Sequence, residues 1–81
     1  MLVKYTLTLK SLCPVDQMPD VYDVELTSDT TVLVEHIKDV VDSFSSMSAT
    51  QEEIAVLLAR ELCCKVLLIG YHSGVKTEVW A

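Results

Sequence analysis

A cysteine and an aspartate border a short segment near the start of the chain, and together they could carry out nucleophilic chemistry. Cys13 precedes a proline, and Asp20 follows a second proline seven residues later. Because proline gives the backbone no donor and biases the residue before it toward extended geometry, we expect a connecting loop over 13–20. A thiol in such a loop becomes a nucleophile where its surroundings favour the thiolate. Cys13 is therefore a candidate nucleophile or a buried apolar cysteine. Asp20 is a candidate partner of the thiol, if the loop folds back on itself, or a solvated turn residue.

Two adjacent glutamates open a helix that is predicted further along the chain. Thr50 and Glu53 have the spacing of a capping box, which accounts for Glu53. Glu52 lies in the same first turn, where the free amides and the helix dipole favour a carboxylate. We interpret Glu52 as a group that could bind a ligand, or else as a surface acid that stabilises the helix.

The other cysteines and histidines do not form a known ligand set. No spacing among them resembles Cys-x2-Cys or His-x-His, so neither a structural nor a catalytic zinc is expected; the residues considered are Cys13, Cys63, Cys64, His36 and His72. The two glycines do not form a phosphate-binding or nicotinamide-binding loop. We therefore predict no cofactor. Three cysteines, two of them adjacent, also do not indicate a disulfide scaffold.

Length and charge restrict the classes of function. The chain has 81 residues, of which 51% are hydrophobic, and this size predicts a single domain over 1–81. A formal net charge of -6 disfavours nucleic-acid binding through phosphate neutralisation, so a small or already tethered substrate fits better. The longest apolar runs are far shorter than the roughly 20 residues of a membrane span. Without a secretory signal in the sequence, we expect a cytoplasmic protein that does not bind membranes.

Alternating and helical patterns predict the elements that must hold these side chains. Apolar and polar residues alternate over 3–10, over 22–27 and over 75–80, and a further strand predicted over 65–71 contains the run 66–69, which is apolar on both faces. Possible N-caps between Ser28 and Thr31 precede a first helix that reaches Phe44, and the capping box precedes a second helix that reaches Leu62.

The resulting order is ββααββ, an α+β fold with a four-stranded antiparallel sheet and both helices on one face. The opposite face of such a sheet lacks cover, and a domain this small has more apolar residues than one core can hide. We therefore expect a homo-oligomer.

The segment from Cys13 to Asp20 resembles the nitrile-processing loop of the tunnelling-fold (T-fold) family. The family includes the 7-cyano-7-deazaguanine (preQ0) reductase of queuosine synthesis and the QueF-like archaeosine synthases. The likeness continues in order through 41–44, 51–58 and 74–81, and so covers almost the whole chain. The family fold, two hairpins flanking two helices, is also the one that the periodicity predicts.

The resemblance implies roles for four side chains. Cys13 would add its thiolate to the nitrile carbon and form a covalent thioimide, and Asp20 would carry protons. Glu52 would anchor the guanine-like edge, because a carboxylate accepts from a ring N–H and an exocyclic amine together. Gln51 stands where the family usually has histidine. It could bind substrate by hydrogen bonds but could not carry a proton, so we take His72 or His36 as its replacement.

The resemblance also implies which reaction follows the thioimide. The nicotinamide motif of the reductases is a glutamate closely followed by two lysines, and it is represented here only by Glu35 and Lys38. NADPH-dependent reduction is therefore not expected. The implied activity is that of an amidinotransferase in archaeosine biosynthesis, in which ammonia converts the nitrile of the base in tRNA to a formamidine. A pentamer or decamer with sites between neighbouring chains is implied as well. The same chemistry on the free base or on viral DNA is an alternative. So is a non-catalytic T-fold module that binds a purine or serves as a scaffold.

Overall fold

A computed structural model of the chain describes residues 1–81 and has the predicted element order. The elements are β1 (Val3–Leu12), β2 (Pro19–Ser28), α1 (Val34–Asp42), α2 (Gln51–Leu62), β3 (Lys65–His72) and β4 (Val75–Trp80). The strands form one antiparallel sheet in the order β1-β2-β3-β4. The predicted α+β class and ββααββ T-fold order are therefore confirmed.

One hydrophobic core lies between the sheet and the two helices. Alternation along the strands turns Leu9, Val24 and Leu68 toward the helices, and none of the three is exposed. Ile54 and Leu58 of α2 are equally inaccessible and belong to the same cluster of 15 buried residues. Burial of each such side chain contributes about 1.5–3 kcal/mol. This core holds α2 against the sheet.

The two helices begin in different ways. Thr50 is the N-cap of α2: its hydroxyl oxygen accepts from the Glu53 N–H at 3.2 Å, and the hydroxyl pairs with Glu53 Oε1 at 2.9 Å. The predicted cap of α2 is thus confirmed. The prediction of a side-chain cap for α1 is wrong, because α1 begins after Leu33 and the hydroxyl oxygen of Ser28 instead accepts from the Thr30 N–H. Neither helix is long and apolar enough to span a bilayer.

Both hairpin connections lie at one end of the sheet, which we call the turn end (residues 13–18 and 73–74). They meet there because β1 and β3 run in the same direction. Ser73 and Gly74 join β3 to β4 with φ values of 51° and 81°, as a two-residue hairpin turn requires. The connection over 13–18 is longer and includes Gln17, whose φ is 61°. A longer connection can hold functional groups that a tight turn cannot.

The sheet face opposite the helices has both exposed and buried apolar side chains and carries most of the positive charge. Trp80 is 74% exposed there, whereas Leu67 is only 9% exposed. The strand registers assign four of the six basic side chains to this face, namely Lys4, Lys10, Lys65 and Lys76. One of them, Lys4, forms an ion pair with Glu25. β1 and β4 are the two edges of the sheet, so both can pair with further strands.

Candidate active site

Cys13 directly follows β1 at the turn end, in a loop that is closed by its own backbone. Its N–H donates to the Met18 carbonyl, and its carbonyl accepts from the Gln17 N–H, each at 2.8 Å. The Met18 N–H also donates to the Asp16 carboxylate at 3.0 Å, a local bond typical of turns. The thiol is free, and the residue is half-buried. The alternative of a cysteine sealed in the apolar core therefore does not describe Cys13.

The linker between the helices is attached to this loop. The Leu12 N–H donates to the Met47 carbonyl at 2.9 Å, and Leu12 forms a parallel bridge with Ser48. The Gln17 side-chain amide donates to the Ser48 hydroxyl at 3.2 Å. Because α2 begins three residues after Ser48, these bonds hold Glu52, in its first turn, at the turn end.

Asp20 lies in β2 and not in the connecting loop, so the predicted loop boundary at 20 is wrong. The strand begins at Pro19, since proline can occupy the first position of a strand without breaking the ladder. The register pairs Asp20 with Ser11 of β1. The Tyr22 hydroxyl donates to Asp20 Oδ2 at 3.3 Å. Ser11 is not exposed, and its hydroxyl oxygen is buried without a hydrogen-bond partner.

The hydroxyl of Tyr22 reports which ionisable groups come together at this end of the sheet. The pKa of this hydroxyl is raised from an ordinary value of 10.0 to about 12. Burial is the largest cause, followed by the charge of Asp20, the hydrogen bond to Asp20, and the charges of Cys13 and Glu52. At neutral pH the phenol is thus uncharged and acts as a hydrogen-bond donor. The charges of the thiol and of the two carboxylates singled out in the sequence therefore all act on this hydroxyl, and Asp20 also accepts its hydrogen bond.

Gln51 is a buried residue that connects α2 to the second hairpin. Its Nε2 donates to the carbonyl oxygens of Leu68 and Thr77, both at 2.9 Å, and these two bonds orient the amide. Its Oε1 then lies 3.1 Å from His72 Nε2. Because an amide oxygen can only accept, Nε2 of His72 is the donor, and in the neutral ring Nδ1 can take a proton. Gln51 therefore fixes both the orientation and the tautomer of His72.

The structure brings only one of the two candidate histidines to the site. His72 lies at the end of β3, with its ring centroid 6.2 Å from that of Tyr22 and the planes inclined by 54°. His36 is exposed on α1 and lines a groove with Phe44 and Met47. Only His72 can act together with Gln51.

Two residues of the site were not found by the sequence analysis. Tyr22 occupies an inward position of an alternating strand, which is also the pattern of an ordinary core residue. Ser11 continues the inward series of β1 after Leu9, and a hydroxyl at such a position is a signal that could have been noticed. Both lie on the same face of the sheet as Asp20.

A groove of about 640 Å³ lies on the other face of the sheet, away from Cys13. Its lining comes from all four strands and includes Lys4, Glu25, Lys65, Leu67 and Trp80. Glu52 borders a shallower and more open depression on α2. The thiol and the carboxylates thus lie on an open part of the single chain.

Comparison with known proteins finds a similar solved structure but no similar sequence. No protein-family model matches the sequence, and no curated protein matches it. Among solved structures, the archaeosine synthase QueF-Like in its apo form is similar to this chain, with a TM-score of 0.92 and 28% sequence identity. The match covers 99% of this chain and 90% of that chain. The resemblance suggested by the loop and helix motifs is therefore confirmed at the level of the three-dimensional structure.

Proposed function

We propose that this protein forms an amidine from the nitrile of 7-cyano-7-deazaguanine, with ammonia as co-substrate, as in archaeosine biosynthesis. One observation carries the proposal. Cys13, Asp20 and Glu52 lie at the same end of the sheet, in a chain whose fold is similar to that of a QueF-like archaeosine synthase. A nucleophile, a proton carrier and a purine anchor are the three groups that this reaction requires.

Cys13 is the nucleophile of the proposed reaction. Its thiolate adds to the nitrile carbon, one carbon–nitrogen π bond breaks, and the nitrogen takes a proton to give a thioimide. Ammonia then attacks the same carbon and loses one proton, the carbon–sulfur bond breaks, and the departing sulfur takes up that proton to restore the thiol. Nitrile plus ammonia equals amidine, so no electrons are gained or lost, and neither NADPH nor another cofactor is needed. A free, half-buried thiol supports this role.

Asp20 and Glu52 have different tasks in this scheme. Asp20 takes the proton from the thiol and delivers it to the nitrile nitrogen, a role supported by its intermediate burial and its bond to Tyr22. Glu52 accepts from the ring N–H and the exocyclic amine of the base. Its place in the first turn of α2 supports this, because the helix terminus favours the carboxylate.

His72 takes the place of the family histidine as a second proton carrier. Gln51 cannot carry a proton, and both of its amide hydrogens are bound to backbone carbonyls. Its oxygen accepts from His72 Nε2, which leaves Nδ1 free to exchange a proton with the reacting groups. We therefore assign Gln51 a positioning role beside His72 in place of the predicted direct contact with substrate, because the residue is only 3% exposed and both amide hydrogens are engaged.

A homo-oligomer, a pentamer or a decamer, completes the site in our proposal. Two observations support it: β1 and β4 are free edges of opposite direction, and Glu52 is exposed in the single chain. Pairing β4 of one subunit with β1 of the next continues the antiparallel order and closes a barrel. A neighbouring subunit could then cover the open region around Cys13.

The proposed substrate is the base already in tRNA, and the free base is the second candidate substrate. The net charge of -6 favours the free base, because the basic side chains are few and four of them lie on the sheet face away from Asp20. Either reaction needs Cys13 as a thiol, which the reducing cytoplasm maintains.

Intact-protein mass spectrometry tests the proposal. Wild-type protein is mixed with 7-cyano-7-deazaguanine, or with tRNA that carries this base, in the absence of ammonia. We expect a covalent adduct of one substrate per chain in the wild type and in Cys63→Ala, but none in Cys13→Ala. Whichever of the two, the free base or the tRNA, gives the larger yield of adduct is the preferred substrate. Binding of the base by wild type and Cys13→Ala alike, with no adduct in either, would instead indicate a non-catalytic purine-binding module.

A further inference from the structure

Tyr22 is an almost inaccessible side chain whose ring is fixed from two directions. It is 2% exposed, and its ring lies over Gly70, where an added Cβ would come within 2.6 Å of Cδ1. Only glycine allows this approach of the ring to β3. The tilted ring of His72 packs nearby. The Tyr22 hydroxyl therefore cannot readily turn away from the site.

Packing alone does not explain the hydroxyl of Tyr22. Phenylalanine would fill the same space without a polar atom that needs a partner. The hydroxyl instead reaches Asp20 Oδ2 at 3.3 Å, in the part of the molecule where Cys13 and Glu52 also act on it. The residue thus has a polar function that the core does not require.

The groups around this hydroxyl explain what a neutral donor can do there. The charges of Asp20 on β2, of Cys13 in the loop after β1 and of Glu52 on α2 act on it, and the ring of His72 on β3 lies beside the Tyr22 ring. Three of the four become negative when they ionise, and each negative charge disfavours the next. A donor that stays neutral favours an ionised carboxylate without adding a further charge.

We propose that Tyr22 is a positioning residue for the reaction at Cys13: its hydroxyl holds the Asp20 carboxylate in the orientation from which it takes the thiol proton. The inference rests on the proposed function and adds a residue to it. Tyr22 keeps its own proton throughout. The thiol proton passes from Cys13 Sγ to the Asp20 carboxylate and then to the nitrile nitrogen. With Oδ2 bound to Tyr22, the other carboxylate oxygen receives that proton.

Tyr22→Phe tests this role, and Tyr5→Phe is its matched control. The Tyr5 hydroxyl accepts from the Val32 N–H at 3.0 Å and has no part in the site. The first readout is the rate of adduct formation with 7-cyano-7-deazaguanine at neutral pH. In Tyr22→Phe we expect this rate to fall about tenfold, the order expected for loss of one hydrogen bond to a charged group. Tyr5→Phe keeps the wild-type rate.

The second readout does not depend on catalysis. Carbon-13 NMR measures the chemical shift of the Asp20 carboxyl carbon in the ligand-free protein at neutral pH, and we expect this chemical shift to change in Tyr22→Phe only, because that variant removes the hydrogen bond to Oδ2. An unchanged chemical shift overturns the inference even if the wild type forms the adduct. A wild type that forms no adduct, with a changed chemical shift in Tyr22→Phe, contradicts the proposed function but supports the Tyr22–Asp20 pair.

Asp20→Asn examines the same pair from the other side and keeps every native tyrosine. Ultraviolet absorbance follows tyrosine ionisation between pH 9 and about 13. Removal of the carboxylate charge is expected to lower the pKa of Tyr22 from its wild-type value of about 12. Three tyrosines that titrate identically in the wild type and in Asp20→Asn would contradict the inference, whatever the behaviour of Tyr22→Phe.

Discussion

The centre of the sheet and its turn end are built from different kinds of buried residue, although the same strands pass through both. Around the centre, the inaccessible side chains are aliphatic: Val24, Leu26, Ile54, Leu58 and Leu68. At the turn end they are polar or carry a polar atom: Ser11, Tyr22 and Gln51. Hydrocarbon needs no partner when it is buried, whereas each polar group needs one or lowers stability. Ser28, at the other end of the sheet, is also buried, but its hydroxyl has a local partner in Thr30. The buried polar groups of the turn end lie instead beside Asp20 and His72, where we place the proposed chemistry.

Removal of a central side chain should have the largest effect on stability and none on the chemistry. Leu58 is inaccessible in α2, and Leu58→Ala should lower the free energy of unfolding by about 2–5 kcal/mol, because it leaves a cavity in the core. Urea unfolding measures the loss, and the rate of adduct formation at Cys13 is measured well below the transition. A loss of under about 1 kcal/mol, or a slower adduct in the folded variant, would mean that the two regions are not separate.

Removal of the histidine at the turn end should have the opposite pattern. His72→Ala is expected to lower the rate of thioimide formation about a hundredfold, the usual order for a general acid or base. The free energy of unfolding should fall by only about 1 kcal/mol, the usual net value of one hydrogen bond, because Gln51 Oε1 loses its partner. His36→Ala is the matched control, because His36 is exposed on α1 and lines a different groove. Stopped-flow measurement of the adduct checks both variants. Full rates in both would remove His72 from the mechanism.

High pH should distinguish the two regions through Tyr22. Its folded pKa of about 12 exceeds the ordinary value of 10.0, so the stability associated with its neutral form is complete below pH 10 and is lost as the pH rises toward 12. In Tyr22→Phe, the free energy of unfolding should therefore fall less steeply over this range than in the wild type or in Tyr5→Phe. Urea unfolding at several alkaline pH values gives the slopes, and equal slopes in all three proteins would contradict the cause assigned to the shift.

The smallest effect is expected for the unpaired hydroxyl at the turn end. Ser11→Ala removes a buried oxygen that has no hydrogen-bond partner, so stability should stay the same or rise by up to about 1 kcal/mol. The thermal unfolding temperatures of Ser11→Ala and Ser28→Ala are compared with that of the wild type. Ser28→Ala is the control, because Ser28 is also buried but accepts a hydrogen bond from Thr30. A clear loss of stability in Ser11→Ala would show that this hydroxyl has a partner in solution.

The parts of the fold that the sequence predicts are those that depend on neighbouring residues. Alternation predicted the strands, and the spacing of Thr50 and Glu53 predicted the start of α2, because both signals act over a few residues. The cap of α1 was predicted wrongly, since the Ser28 hydroxyl oxygen has a local alternative in the Thr30 N–H. The structure places Ser11 and Tyr22 beside Asp20. It also begins β2 at Pro19, within the segment that the prolines had indicated to be a loop.

The contacts that make the site are long-range, so local patterns could not predict them. The residues Gln51 and His72 lie 21 positions apart and meet only because the end of β3 returns to the start of α2. Tyr22 looks like any inward aromatic residue of a strand, and only its position beside Asp20 gives its hydroxyl a function. Cys13, Asp20 and Glu52 were singled out by residue type and resemblance, and their roles stay predictions.

The most direct measurement is the conversion of the nitrile itself. tRNA that carries 7-cyano-7-deazaguanine, and separately the free base, is incubated with wild-type protein or Cys13→Ala with and without an ammonium salt, and the products are analysed by mass spectrometry. The account predicts that the base gains the mass of one ammonia only with wild-type protein and ammonium. An unchanged base in every sample, or equal conversion by Cys13→Ala, would contradict it.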